Sequence, residues 1–308
     1  MSTPFPVLVH PFKSPVPRQC AYESGSTTAK NALICIGGLG DGPHTLRYVR
    51  TISQRLEKEA SLSYSVFEVR LSSAFDGFGT KRLSDDVAEI SALVQYLRGI
   101  GREKIVLMGH STGTQVWVPA IDCMEYTNYG RHNSAPVDGF IMQGTVSDRE
   151  AFGPLVDKKE LDQIISQAAT LIRAGEENEM MPRNNPVSEV FGAPLTAYRL
   201  NSLLSPGGED DFFSSDLTDD KIASFWANFR KPALVLPSGE DEHVPKSIDV
   251  EALLGRWKKL APAGVISELS GLIPGASHTV RDPGAQEWMC DRIVQFLRNL
   301  ETSHEVKL

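Results

Sequence analysis

The chain of 308 residues is poor in cysteine, with four in all, and no C-x-x-C or other recurrent spacing joins them. Cys20, Cys35, Cys123 and Cys290 are scattered, which excludes a disulfide framework and a cysteine-based metal site. Cys35 lies in an apolar run and Cys123 in an expected helix, so both read as buried thiols in a reduced, cytoplasmic setting. Basic charge is short as well. The 31 Lys and Arg against 39 Asp and Glu leave a formal net charge of -8, whereas a nucleic-acid partner requires a basic face. No apolar run reaches the roughly 20 residues of a membrane helix. Met1-Ser2-Thr3-Pro4 does not open a basic segment leading into an apolar one, so no secretory signal is expected. Val306-Lys307-Leu308 matches a peroxisomal tripeptide only in its last two residues. H-E-x-x-H, clustered Cys/His spacings and an EF-hand loop are all missing, so neither a metal nor another cofactor is expected. Internal repeats and low-complexity tracts are absent too, and oligomeric state stays open.

What is present is an alternation of strand and helix signals. Pro6 to His10 and Gln19 to Glu23 read as short leading strands. Ala32 to Ile36 is an apolar run closed by glycines, the pattern of a buried parallel strand. Leu46 to Leu56 reads as a helix and Tyr64 to Leu71 as an alternating strand. Val87, Ile90, Val94 and Leu97 share one helical face, with Ser84 and Asp85 as N-cap candidates. Lys104 to Met108 is the next strand, followed by a helix to about Met124 that Pro119 kinks or shifts. Gly139 to Met142, Ala233 to Leu236 and Val265 to Leu269 complete the strands, and Gln286 to Leu300 is a last amphipathic helix. This order predicts an α/β fold, a mostly parallel central sheet with helices on both faces.

About ninety residues separate the strands ending near Met142 and starting near Ala233, far more than one crossover helix requires. A helix from about Lys159 to Arg173 lies in this stretch, with a polar turn and an acidic, aromatic segment, Gly207 to Phe213. The excess, about residues 147–228, is expected to form an inserted cap within a single domain.

Gly109-His110-Ser111-Thr112-Gly113 matches the G-x-S-x-G elbow of α/β hydrolases. The pattern alone is weak, but here a strand precedes it and a helix can follow, which is the setting that exposes a nucleophilic serine. Ser111 is therefore the expected nucleophile, with His110 directed away from it. Gly37-Gly38-Leu39-Gly40-Asp41-Gly42 follows the first buried strand, and neither phosphate-loop glycine pattern fits it. The loop is expected to offer the Leu39 backbone N–H to an oxyanion, beside that of Thr112. His44 either lines this site or lies on the surface.

The remaining partners should follow in the order Ser, acid, His. The loop Gly239-Glu240-Asp241-Glu242-His243-Val244-Pro245 resembles the hydrolase pattern G-x-x-D-x-x-V-P, which selects Asp241 as the acid. Glu240 and Glu242 are close competitors, an acidic helix cap is the bland alternative, and Asp148 is the fallback. His278, the one histidine between the last expected strand and the final helix, is the expected base, with His243 as its rival. His10, His132 and His304 are assigned no role.

Together with the cap segment Tyr198 to Leu217, which carries Ser205-Pro206-Gly207-Gly208 and Asp211-Phe212-Phe213-Ser214-Ser215-Asp216-Leu217, these motifs resemble a family of fungal and plant α/β hydrolases. That family includes the fungal intracellular siderophore esterases. The resemblance spans most of the chain, and the cap segment is its most specific part. It implies hydrolysis of esters in fusarinine-type hydroxamate siderophores, with release of iron inside the cell. A small-molecule ester substrate follows from it, with no nucleic-acid or membrane partner. Tyr198, Arg199, Phe212 and Phe213 are the expected substrate contacts. A thioesterase, lipase or acyltransferase built on the same residues is the alternative within enzymes, and a non-catalytic binding protein the alternative outside them.

Overall fold

A computed structural model describes residues 4–110 and 121–302. Seven strands form one sheet in the order β1-β2-β4-β3-β5-β6-β7. They are β1 (Leu8–Pro11), β2 (Cys20–Ser24), β3 (Asn31–Ile36), β4 (Tyr64–Val69), β5 (Ile105–His110), β6 (Gly139–Gln143) and β7 (Ala233–Leu236). β1, β2 and β4 pair antiparallel, while β4, β3, β5, β6 and β7 are mutually parallel. The register sets Ile36 opposite Gly109 and His110 opposite Gln143, so the strand ends that carry polar chemistry share one edge.

Every residue of β3, β4, β5, β6 and β7 is buried. Side chains alternate across a strand, so each strand feeds two cores. Leu33, Cys35, Val106 and Met108 pack with Tyr48, Ile52 and Leu56 of α1 (Arg47–Lys58), and with Ile293 and Leu297 of the C-terminal helix. Ala32, Ile34, Ile36, Leu107 and Met142 face the other way, onto Val87, Ile90 and Val94 of α2 (Leu83–Gly99). Each Leu, Ile, Val or Met among them contributes about 1.5–3 kcal/mol by leaving water. The described helices continue as α3 (Ile121–Tyr126), α4 (Tyr129–His132), α5 (Asp148–Phe152), α6 (Lys158–Arg173), α7 (Pro186–Phe191), α8 (Ala197–Leu204), α9 (Asp219–Trp226), α10 (Val250–Leu260) and α11 (Pro283–Thr302).

Four expectations need correction. β1 begins at Leu8, two residues after Pro6, which has no N–H to give a ladder. β4 does not alternate, because Ser65 and Glu68 are buried and partnered rather than solvated: Ser65 Oγ lies 2.6 Å from Glu23, and Glu68 accepts the His44 N–H at 2.8 Å. α2 is preceded by Arg82 rather than by Ser84 or Asp85. Asp85 instead accepts the Arg82 N–H at 3.0 Å from inside the first turn. Val265 to Leu269 is not a strand. This segment touches β7 through an isolated bridge at Ile266, and Ser238 pairs with Ile273 further on. Between the two, a turn closed by Ser270 N and Ser267 O puts the Ser270 hydroxyl where a backbone acceptor for Val235 would be, at 2.9 Å, and the ladder breaks. The helix expected around Pro119 falls outside the described residues up to Ile121.

Between β6 and β7 lie α5 to α9. α6 starts at Asp157, whose carboxylate accepts the N–H groups of Lys159 and Glu160. α8 packs on α6 and α5 and reaches the 3₁₀ turn Phe75–Thr80 of the body. There Thr196 donates to Gly79 O at 2.9 Å, and a Cβ on Gly79 would stand 1.9 Å from Pro194 O. Only glycine permits that approach. With seven strands in this order and helices on both faces, the chain has the α/β-hydrolase fold.

Candidate active site

Among the described residues, Asp241, His278 and the Gly37–Gly42 loop lie at the edge where β3, β5, β6 and β7 end. His278 and Asp241 come from the two loops after β7. His278 Nδ1 lies 2.6 Å from Asp241 Oδ2, with the side chains 0% and 2% exposed, so solvent cannot replace either partner. Asp241 Oδ1 also accepts the His243 N–H at 3.0 Å, an Asx-type turn that fixes the carboxylate locally. The competing acids lie elsewhere. Glu242 accepts the backbone N–H of His278 at 2.7 Å, Glu240 is exposed, and Asp148 sits buried in the first turn of α5. Ser111 and Thr112 lie outside the described residues; β5 ends at His110, the residue before Ser111.

Two further imidazoles flank His278. The His243 ring meets it edge-on at 4.7 Å between centroids, and the His110 ring lies at 5.2 Å. Burial, and then the nearby His278, push both below the usual histidine range, His110 well below it. Both rings are therefore held neutral.

Gln143, at the end of β6, ties these parts together and was not singled out from the sequence. Fully buried, its carbonyl oxygen takes hydrogen bonds from Tyr48 OH at 3.2 Å and from His110 Nδ1. Its amide nitrogen donates to Ser238 Oγ at 3.1 Å and to the His278 carbonyl at 3.2 Å. This set of bonds fixes the proton of His110 on Nδ1 and holds the backbone that carries His278. The signal was a lone polar residue closing an apolar strand.

The loop after β3 is shaped by Asp41. Its carboxylate accepts the Gly38 N–H at 2.9 Å, its own N–H donates to Gly38 O at 3.0 Å, and Gly40 takes φ +76. Leu39 is buried within this turn, and its N–H meets no acceptor among the described residues. Burial raises the Asp41 pKa, against the opposing Thr45 and Gly38 hydrogen bonds. His44 pairs with Glu68 at 2.7 Å and is one-third exposed, so it belongs to the rim of this wall.

The expected substrate contacts separate. Arg199 is buried on α8 and lines a cavity beside the Gly37–Gly42 loop, with its Nη1 on both oxygens of Asp210 at 2.9 and 2.7 Å. Phe213 lines a second cavity, of about 10 Å³, with Thr145, Ser147, His243 and Pro245. Tyr198 instead donates to Glu209 beneath the Arg82 guanidinium, and Phe212 packs on Phe225. Among the described residues no group of three His, Cys, Asp or Glu gathers for a metal ion, and no helix is long and apolar enough to cross a membrane.

A family model described as "Protein of unknown function (DUF1749)" matches residues 1–298. An esterase of Emericella nidulans, AN6793, is 32% identical over 357 aligned residues, covering 97% of this chain and 94% of the relative. Fusarinine C esterase sidJ of Aspergillus fumigatus is 30% identical over 328 aligned residues, covering 91% and 92%. Among solved structures, the siderophore hydrolase EstB from Aspergillus fumigatus superposes with a TM-score of 0.77 at 30% identity, covering 96% of this chain and 98% of that one. An α/β-hydrolase fold protein of unknown function covers both chains fully with a TM-score of 0.68 at 15% identity, a likeness of fold alone.

Proposed function

The chain belongs to the DUF1749 family, and from that membership we propose that it is a serine ester hydrolase in which Ser111, His278 and Asp241 form the catalytic triad. The observation that carries this reading is the buried 2.6 Å contact between His278 and Asp241 at the strand edge, together with relatives named as esterases. Ser111 Oγ attacks the ester carbonyl while His278 Nε2 takes its proton. Asp241 holds the Nδ1–H tautomer and balances the imidazolium. The backbone N–H groups of Leu39 and Thr112 receive the oxyanion. His278 then gives its proton to the departing alcohol, and water cleaves the acyl-enzyme by the same route in reverse.

The substrate in this reading is a siderophore ester of the fusarinine type, because one relative is named for fusarinine C and another for siderophore hydrolysis. Residues 147–228 act as the cap that shapes its entrance, with Arg199 and Phe213 as the wall residues. Four cysteines, none of them in a disulfide, fit a reducing, cytoplasmic compartment.

The test is turnover of ferric and iron-free siderophore esters beside p-nitrophenyl esters, with Ser111→Ala as control. Siderophore esters should exceed the simple esters in kcat/KM by at least tenfold, and Ser111→Ala should abolish both. Simple esters alone being cleaved would reject the substrate. Activity retained in Ser111→Ala would reject the nucleophile.

A further inference from the structure

Beside Leu39 a cavity of about 30 Å³ opens inward, walled by Ser73, Phe78, Lys81, Asp86, Arg199 and the loop itself. Its charges do not balance. Glu68 on this wall is matched by His44, and Arg199 by Asp210, whose second oxygen also takes the Ser202 hydroxyl. Asp86 remains. It projects from the first turn of α2, is 6% exposed, and its Oδ1 accepts no hydrogen bond. Arg199 Nε, likewise buried, donates none. A buried carboxylate oxygen without a hydrogen-bond donor is costly, and a cation seated beside it would offset that cost. Burial accordingly drives the Asp86 pKa up to about 7, with Glu89 adding to the rise and Ser73 and Arg199 opposing it.

The size of the space selects among cations. A cavity of about 30 Å³ has room for a water-sized group, which suits an –NH₃⁺ head. No three-ligand metal group gathers among the described residues. The cavity is lined by the Gly37–Gly42 loop that would receive the carbonyl oxygen, so its occupant would belong to the acyl part of the ester.

We propose that this cavity is a subsite for a primary ammonium on the acyl part of the substrate, recognised by Asp86. The inference rests on the ester-hydrolase reading above. In it Asp86 selects the substrate and takes no part in the bond changes, and Arg199 Nε faces a neighbouring oxygen of water or substrate. Lys81 on the same wall opposes the cation and weakens the selection.

The experiment compares kcat/KM for methyl L-norleucinate, methyl 6-aminohexanoate and methyl hexanoate, which share a chain length and differ in the amine. At least one aminated ester should exceed methyl hexanoate by tenfold or more. In Asp86→Asn that ratio should fall at least tenfold, and in Lys81→Met it should rise, each variant being checked by a melting curve. The Lys81→Met direction carries the test should Asp86→Asn fail to fold. Turnover of p-nitrophenyl acetate with no gain for either aminated ester overturns the subsite, as does a ratio indifferent to both substitutions; an ordered water is then the occupant. A chain that cleaves neither p-nitrophenyl acetate nor any methyl ester refutes the hydrolase reading instead.

Discussion

Replacing Asp241 by asparagine keeps the shape of the site and removes one charge. In the proposed mechanism His278 becomes an imidazolium while Ser111 attacks. The only carboxylate on its ring among the described residues is Asp241, at 2.6 Å, and neither side chain is open to water. With charge centres about 4 Å apart and an effective dielectric near 20, that attraction is about 4 kcal/mol, or about three decades in rate. A second effect adds to it. The asparagine amide can turn its N–H₂ toward Nδ1, which moves the ring proton to Nε2 and removes the lone pair that takes the serine proton. The corresponding change in a chymotrypsin-type triad costs about 10⁴ in kcat. Glu242 cannot substitute, because its carboxylate is committed to the His278 backbone N–H and lies on an exposed residue. Asp241→Asn should therefore lose about 10³- to 10⁴-fold in kcat on a p-nitrophenyl ester, with KM within a few-fold and an unchanged melting curve. The fluorophosphonate labelling rate should fall in parallel. A loss below about tenfold in a folded variant refutes the argument. A larger loss in Asp148→Asn would transfer the role to Asp148.

Three smaller perturbations test the surroundings. Gln143→Leu removes the Gln143 bonds to Tyr48, His110, Ser238 and the His278 carbonyl, leaving the last two only their mutual 3.5 Å contact; a shift of this kind should cost about 10²-fold in kcat with little change in KM, and a KM effect alone would make Gln143 merely structural. Asp86→Asn should raise the melting temperature at pH 8 and not at pH 4. The folded pKa of Asp86 stands near 7, above its unfolded value, so its ionisation penalises the fold increasingly as pH rises from about 4 through 7; a gain independent of pH would contradict the burial argument. Asp157→Ala removes the acceptor for two N–H groups at the start of α6 and should cost roughly 1 kcal/mol in denaturant unfolding, without altering the ester ratios.

Much of the frame was legible because β3, β5, β6 and β7 are short apolar runs with a polar or glycine boundary, and α1, α2, α6 and α11 carry an apolar face. What was not legible depended on contacts between distant segments. Ser65 and Glu68 made β4 look half-solvated, although Glu23 and His44 satisfy them inside the fold. The last expected strand failed on one hydroxyl, that of Ser270, acting as a surrogate acceptor. Within Glu240-Asp241-Glu242 the sequence offers three acids in a row, and spacing to Val244-Pro245 favours the middle one; only the turn that buries Asp241 separates it from its neighbours. Asp86 reads locally as an ordinary acid in the first turn of a helix, since the Arg199 that shares its cavity comes from α8, far along the chain.

The division of charge around His278 has a consequence for which substrates the site admits. A proton on His243 or His110, at 4.7 and 5.2 Å between ring centroids, would oppose an imidazolium at His278 by about 3 kcal/mol each at an effective dielectric near 20. Burial keeps both rings neutral, so positive charge can develop on the base without that penalty. A cationic substrate group seated at the same distance would reimpose it. The Asp86 carboxylate lines instead the cavity beside the Gly37–Gly42 loop. An ammonium drawn to Asp86 would lie in that cavity, which none of the three histidines lines. Cationic acyl groups should thus be accepted without loss of basicity at His278, whereas the Phe213 and His243 side offers no carboxylate on the second cavity except Glu150, which is already engaged by Ser215. A cation on the alcohol side should accordingly lower kcat/KM, and ester pairs aminated on one side or the other measure that asymmetry directly.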